Sequence, residues 1–154
     1  MNRDPSQRVR TASGTMTVAE VAGRVSVLES GLLLMREVPN GTEETFEILL
    51  ESANLLAADF DRWAMVVDLS EVTERPRGRY LEMIRRESIG KIGKDGQPIY
   101  MAAVQPGNAF MRTVLSFVLG RMSQLVSVHS TRDAAVAACR DALASGKAHA
   151  RPAK

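Results

Sequence analysis

The sequence predicts an α/β domain: a mixed sheet that opens with an antiparallel hairpin and continues as alternating helix and strand, with helices packed on the sheet. Three observations carry this. Four short apolar runs, Leu32–Met35, Trp63–Val67, Ile99–Val104 and Leu125–Val128, have the length of strands. Several are continuous rather than alternating, as in strands covered on both faces. Between them lie segments with apolar residues at helical spacing, and strands alternating with helices form mostly parallel sheets through right-handed crossovers.

Bulk properties narrow the class. A chain of 154 residues with 45% hydrophobic and 25% charged content is the size of one domain with a real core. A net charge of +2 with a pI near 9.0 gives no global nucleic-acid signature, so no specific nucleic-acid partner is expected. One cysteine, Cys139, excludes an internal disulfide framework and suits a reducing compartment. No apolar run approaches the roughly 20 residues that span a bilayer. The opening residues Met1–Arg8 lack the apolar core of a signal peptide, so a cytoplasmic location is expected.

Taken in order, residues 1–14 are polar, carry Pro5 and Gly14, and read as a flexible arm before a single domain over 15–146. Met16–Ala22 fits either a short strand or a helical turn. Val25 and Val27 alternate with polar neighbours, Ser30-Gly31 supplies a turn, and Leu32–Met35 returns as a covered strand until Pro39-Asn40-Gly41 stops it. Thr42 is a helix N-cap, with Glu43 and Glu44 where the helix dipole favours carboxylates. Phe46, Leu49, Leu50, Ala53, Leu56, Ala57 and Phe60 share the inward face of that helix, and Glu44, Glu47 and Glu51 form a solvated acidic stripe.

The strand Trp63–Val67 leads through an acidic turn to Pro76, suited to a first helical position. Tyr80, Leu81, Met83, Ile84 and Ser88 face inward there. Arg75, Arg79, Glu82 and Arg86 face out, with Glu82 and Arg86 at i, i+4 spacing. A loop punctuated by Gly90, Gly93 and Gly96 precedes the strand Ile99–Val104. Asn108 then caps a helix to about Met122 that is apolar nearly all round, and so is buried or covered by a partner. After Leu125–Val128, Ser130 to Asp133 cap a helix that buries Ala135, Val136, Cys139 and Leu143 and stops at Gly146. Residues 147–154 read as a disordered basic tail.

Open α/β sheets place their sites where strand C-terminal ends meet helix N-termini, which selects the stretch from Asp68 to Arg86. Asp68 suits either of two roles, orienting a ligand or capping its own turn. Arg75, Arg77, Arg79, Arg85 and Arg86, with Lys91 and Lys94, make either an anion site or a solvated face neutralised by Glu74, Glu82 and Glu87. The glycine loop lacks the Gly-Lys-Ser/Thr ending of a phosphate loop, His129 and His149 have no ligand partners at metal spacing, and Cys139 reads as packing. No catalytic arrangement, metal or cofactor is expected, and the protein reads as non-enzymatic.

The segment Val66-Val67-Asp68-Leu69-Ser70-Glu71-Val72-Thr73 resembles the Asp-Leu-Ser-x-Val-Thr signature of STAS domains, the family of bacterial anti-sigma factor antagonists. Val128-His129-Ser130-Thr131-Arg132-Asp133-Ala134-Ala135-Val136 is similar to that family's closing pattern, and the resemblance covers residues 24–145. It implies a STAS-like fold and a regulatory module in signal transduction. Such a module binds a kinase-like anti-sigma factor or another signalling protein through Asp68, Ser70, Thr73, Arg75, Arg77, Arg79, Glu82 and Arg86. In phosphoregulated members the signature continues as Asp-Ser-Ser-Gly. The matching positions here are Pro76, Arg77, Gly78 and Arg79, which puts Gly78, with no hydroxyl, at the acceptor position. A switch at the usual site is therefore not expected, and Ser70 and Thr73 are the nearest remaining candidates for phosphorylation. Two alternatives stand beside this: a lipid or nucleotide carrier of the same fold with the Phe110–Met122 helix lining a cavity, and a homodimer joined through that helix.

Overall fold

The computed structural model describes residues 2–74, 79–109, 112–113 and 124–145. In chain order these form β1 (Arg8–Thr11), β2 (Gly14–Thr17), α1 (Val18–Ala22), β3 (Val25–Glu29), β4 (Leu32–Arg36) and α2 (Glu43–Ala57). There follow β5 (Ala64–Asp68), α3 (Arg79–Glu87), a 3-10 turn (Ile89–Lys91), β6 (Met101–Val104), β7 (Val126–His129) and α4 (Arg132–Ser145). Ala109, Arg112 and Thr113 are helical, with the Arg112 N–H donating to the Asn108 carbonyl at 2.9 Å. The rest of the apolar helix expected up to Met122 lies outside the described residues. So do Arg75, Pro76, Arg77, Gly78, Gly146 and the tail.

The expected α/β architecture is present. The main sheet runs β3-β4-β5-β6-β7, with β3 antiparallel to β4 and every later pair parallel. Each apolar run divides by alternation between two layers. Leu33, Met35, Met65, Val67, Met101 and Ala103 join one core with Ile48, Leu49 and Ala53 of α2. Leu32, Leu34, Ala64, Val66, Ala102 and Val104 join a second core with Ala135, Cys139 and Ala142 of α4. The residues that α4 buries in the second layer are small, which lets the helix lie close to the sheet. The Cys139 Sγ reaches the Met65 carbonyl at 3.6 Å.

Capping follows the sequence. The Thr42 hydroxyl accepts from the Thr45 N–H at the start of α2, and the Thr131 hydroxyl accepts from the Ala134 N–H at the start of α4. Gly31 turns β3 into β4 at φ 78°, the left-handed region that Ser30-Gly31 signalled. The ambiguous Met16–Ala22 stretch resolves into both options. It ends β2 and begins α1, with Thr17 and Glu20 forming a capping box.

Two expectations are corrected and one is extended. Residues 1–14 are not wholly a flexible arm, because Arg8–Thr11 pairs antiparallel with Gly14–Thr17 and buries Val9 in the first core. A four-residue strand with one inward side chain is too short for periodicity to reveal. The acidic stripe of α2 is exposed as expected, and it also holds a cation, since the Arg3 guanidinium lies 3.2 Å from both Glu47 and Glu51 and 4.0 Å from Glu44. Leu56, expected inward, is exposed together with Leu55, because the inward face of α2 narrows to Ala53 and Ala57 at its C-terminal end.

Candidate functional site

The C-terminal ends of the parallel strands lie in one row, Arg36 beside Asp68, Asp68 beside Val104 and Val104 beside His129. Asp68 is buried at this edge. Its Oδ1 accepts from the Ser70 N–H at 2.9 Å, closing an Asx turn, and its Oδ2 accepts from the Arg132 guanidinium at 2.8 Å. Burial pushes the Asp68 carboxyl up, but the Ser70 hydroxyl and N–H and the Arg132 charge outweigh this and hold it below the usual aspartate value. The structure therefore supports the turn-capping role for Asp68 and adds a partner that the sequence did not reveal. Arg132 arrives from the first turn of α4, 64 residues away in sequence.

The remaining expected site residues fall in two places. Ser70 is exposed at the turn, and Thr73 donates its hydroxyl to Asn40 Oδ1 at 3.1 Å. Asn40 holds a left-handed φ of 53° that asparagine tolerates, and its carbonyl takes the Ala12 N–H at 2.8 Å. The Asp68 turn is thus tied to the β4–α2 loop and, through it, to the β1–β2 hairpin. Arg24 adds a second tie, donating to the Arg36 and Glu37 carbonyls and to Glu71. Arg79, Glu82 and Arg86 instead line a groove of about 630 Å³ between α2 and α3, floored by Trp63 and Met65 and walled opposite by Glu43, Glu47 and Glu51. Asp68, Ser70 and Thr73 do not line that groove. Arg75 and Arg77 lie outside the described residues.

The described cations of α3 are largely compensated. Arg85 pairs with Glu82 at 3.4 Å, in place of the expected Glu82–Arg86 pair. Arg86 and Lys91 both pair with Glu87, at 2.9 and 2.8 Å. Solvated pairs of this kind are worth little individually. They leave a mixed-charge face rather than a basic patch.

A third feature went unnoticed in the sequence. Glu37, one residue past β4, is 7% exposed. Its Oε1 accepts from the Tyr80 hydroxyl at 3.0 Å and from the Val38 N–H at 3.1 Å. Burial pushes the Glu37 carboxyl up to about 7, against the pull of those hydrogen bonds and of Arg24. Burial and the neighbouring carboxylate push the Tyr80 hydroxyl far above its ordinary value. Both side chains line a cavity of about 620 Å³ between the first face of the sheet, α2 and α3. The signal was available: Glu37 shares the alternation of Leu33 and Met35, so it points into the same layer.

Cys139 is buried, and desolvation pushes its thiol up to about 12, which fits packing rather than nucleophilic chemistry. Ser127 Oγ lies 2.6 Å from His129 Nε2 and also takes the Tyr100 hydroxyl, a polar row formed by β7 and the residue that precedes β6. Among the described residues no group of three or more His, Cys, Asp or Glu is placed to hold a metal ion. Among the same residues no helix is long and apolar enough to cross a membrane.

No protein-family model matches the chain, and no curated protein or solved structure shows significant similarity to it.

Proposed function

We propose that the chain is a non-enzymatic, STAS-like regulatory module that binds another signalling protein, such as a kinase-like anti-sigma factor, through the Asp68 turn and α3. The observation that carries this reading is the Asp68-Leu69-Ser70 turn at the C-terminal edge of the sheet, locked by Arg132 from the closing helix. That arrangement joins the two segments whose sequences resemble the family signature. It presents Ser70, Glu71, Thr73 and Glu74 on a fixed backbone, and exposed residues on a rigid scaffold suit recognition. The charges of α3 are of both signs, which favours a protein partner of complementary pattern over a polyanion. With Gly78 at the acceptor position, the module is not switched at the usual site.

The test is a pull-down from native lysate with wild type, an Arg79→Glu/Arg86→Glu variant, and Asp59→Lys at the opposite end of the sheet as control. A partner held by wild type and by the control, and lost from the double variant, is expected. The same partners on all three would sink the reading. A second reading, a small-ligand carrier or sensor, is favoured by the apolar cavity around Glu37 and Tyr80, whose volume falls in the range of small-molecule sites.

A further inference from the structure

We propose that the cavity above β4, β5 and β6 binds a small apolar molecule ending in a single protonated amine, with the Glu37 carboxyl as its seat. The inference rests on the ligand-binding reading and names the ligand's chemistry. Met35, Val67 and Met101 form the floor, and Phe46 and Ile84 line the walls, so the body of the ligand is apolar. Phe46 packs edge-on against Tyr80 with ring centroids 5.7 Å apart, which fixes the phenol that holds Glu37.

The carboxyl is more than nine-tenths buried, yet both of its hydrogen bonds from described residues reach Oε1. Oε2 receives none of them and is the oxygen left to accept from a ligand. Arg24 acts on the carboxyl only from beside the Glu37 backbone carbonyl, and no described cation pairs with the carboxyl directly. A buried carboxylate without a direct ion pair is costly, and an ammonium placed against it lowers that cost while its alkyl body fills the apolar space.

The charges around the opening are mixed, with carboxylates in the majority. Glu43, Glu44 and Glu74 line the cavity with Arg10, and Arg3 stands 4.0 Å from Glu44. Among the described residues carboxylates outnumber guanidiniums, so an anionic amphiphile meets repulsion at both rim and seat, and a cationic one does not.

The experiment is titration calorimetry of the full chain with decylamine, decanol and decanoate as probes, repeated with Glu37→Gln. Glutamine keeps an oxygen for the Tyr80 and Val38 donors and removes the charge. Decylamine is expected to bind wild type about tenfold or more tighter than either other probe, and to lose about that factor in Glu37→Gln. Decanol should bind both proteins equally, which also shows that the variant cavity is intact. Decanol or decanoate binding as tightly as decylamine, or decylamine binding unaffected by the substitution, would overturn the amine assignment while leaving the ligand-binding reading in place. Absence of binding by all three probes would overturn both.

Discussion

Glu37 is the residue whose chemistry departs furthest from its surroundings. Its folded-state pKa of about 7 stands above the ordinary value of 4.5, so between those values the native state holds a proton that the unfolded chain has released. The sign follows directly. The stability contributed by this group is complete below about pH 4.5 and falls away as pH rises through about 7, by about 3 kcal/mol in all. Urea denaturation of wild type from about pH 5 to pH 8 should show this loss. Glu37→Gln, which carries no titrating group, should flatten the profile and be the more stable protein at the alkaline end. An equal slope in the two proteins would show that Glu37 does not titrate in this range. Asp68, the residue that drew attention in the sequence, behaves in the opposite sense. It is ionised, paired with Arg132, and serves to hold its turn.

Single glycines and caps decide where the elements begin and end. Gly31 has φ 78°, and a Cβ there would stand 2.9 Å from the Arg62 carbonyl oxygen, so Gly31→Ala should cost about 1–2 kcal/mol through both strain and contact. Gly14 has open space around its Cα and lies outside the left-handed region, so Gly14→Ala should be close to neutral. The difference in denaturation midpoints between the two variants checks this, and equal midpoints would contradict it. Features of this kind were legible in the sequence: Ser30-Gly31 as a turn, Thr42 and Thr131 as caps, and the four apolar runs as strands within one or two residues of their bounds. Less legible were pieces stabilised by distant partners. The β1–β2 hairpin is short, and what fixes it is Val9 in the core, the Ala12 N–H on Asn40 and the Arg10 carbonyl taking the Thr42 hydroxyl. No window of local sequence contains those contacts.

Across the whole molecule, the sheet places its two most consequential carboxyls at neighbouring strand ends, Glu37 after β4 and Asp68 at the end of β5, but sets them in different surroundings. One faces an apolar cavity and the other an arginine. The general location at the C-terminal edge was legible from the alternation of strands and helices. The division into a turn surface, a charged groove and a cavity was not, because it depends on how α2, α3 and α4 sit on the two faces. The outer edge is also managed at this scale. β3 carries a bulge between Val27 and Glu29, and Glu29 pairs with Arg140 of α4 at 2.9 Å, both of which discourage edge-to-edge pairing.

The central claim, that a partner is recognised through the Asp68 turn and α3, is tested most directly by amide hydrogen exchange on the captured complex. New protection should fall on residues 69–74 and 79–87, with the exposed face of α4 and the β3 edge exchanging as in the free protein. Protection confined to α4 or to β3, with the turn and α3 unchanged, would contradict the account.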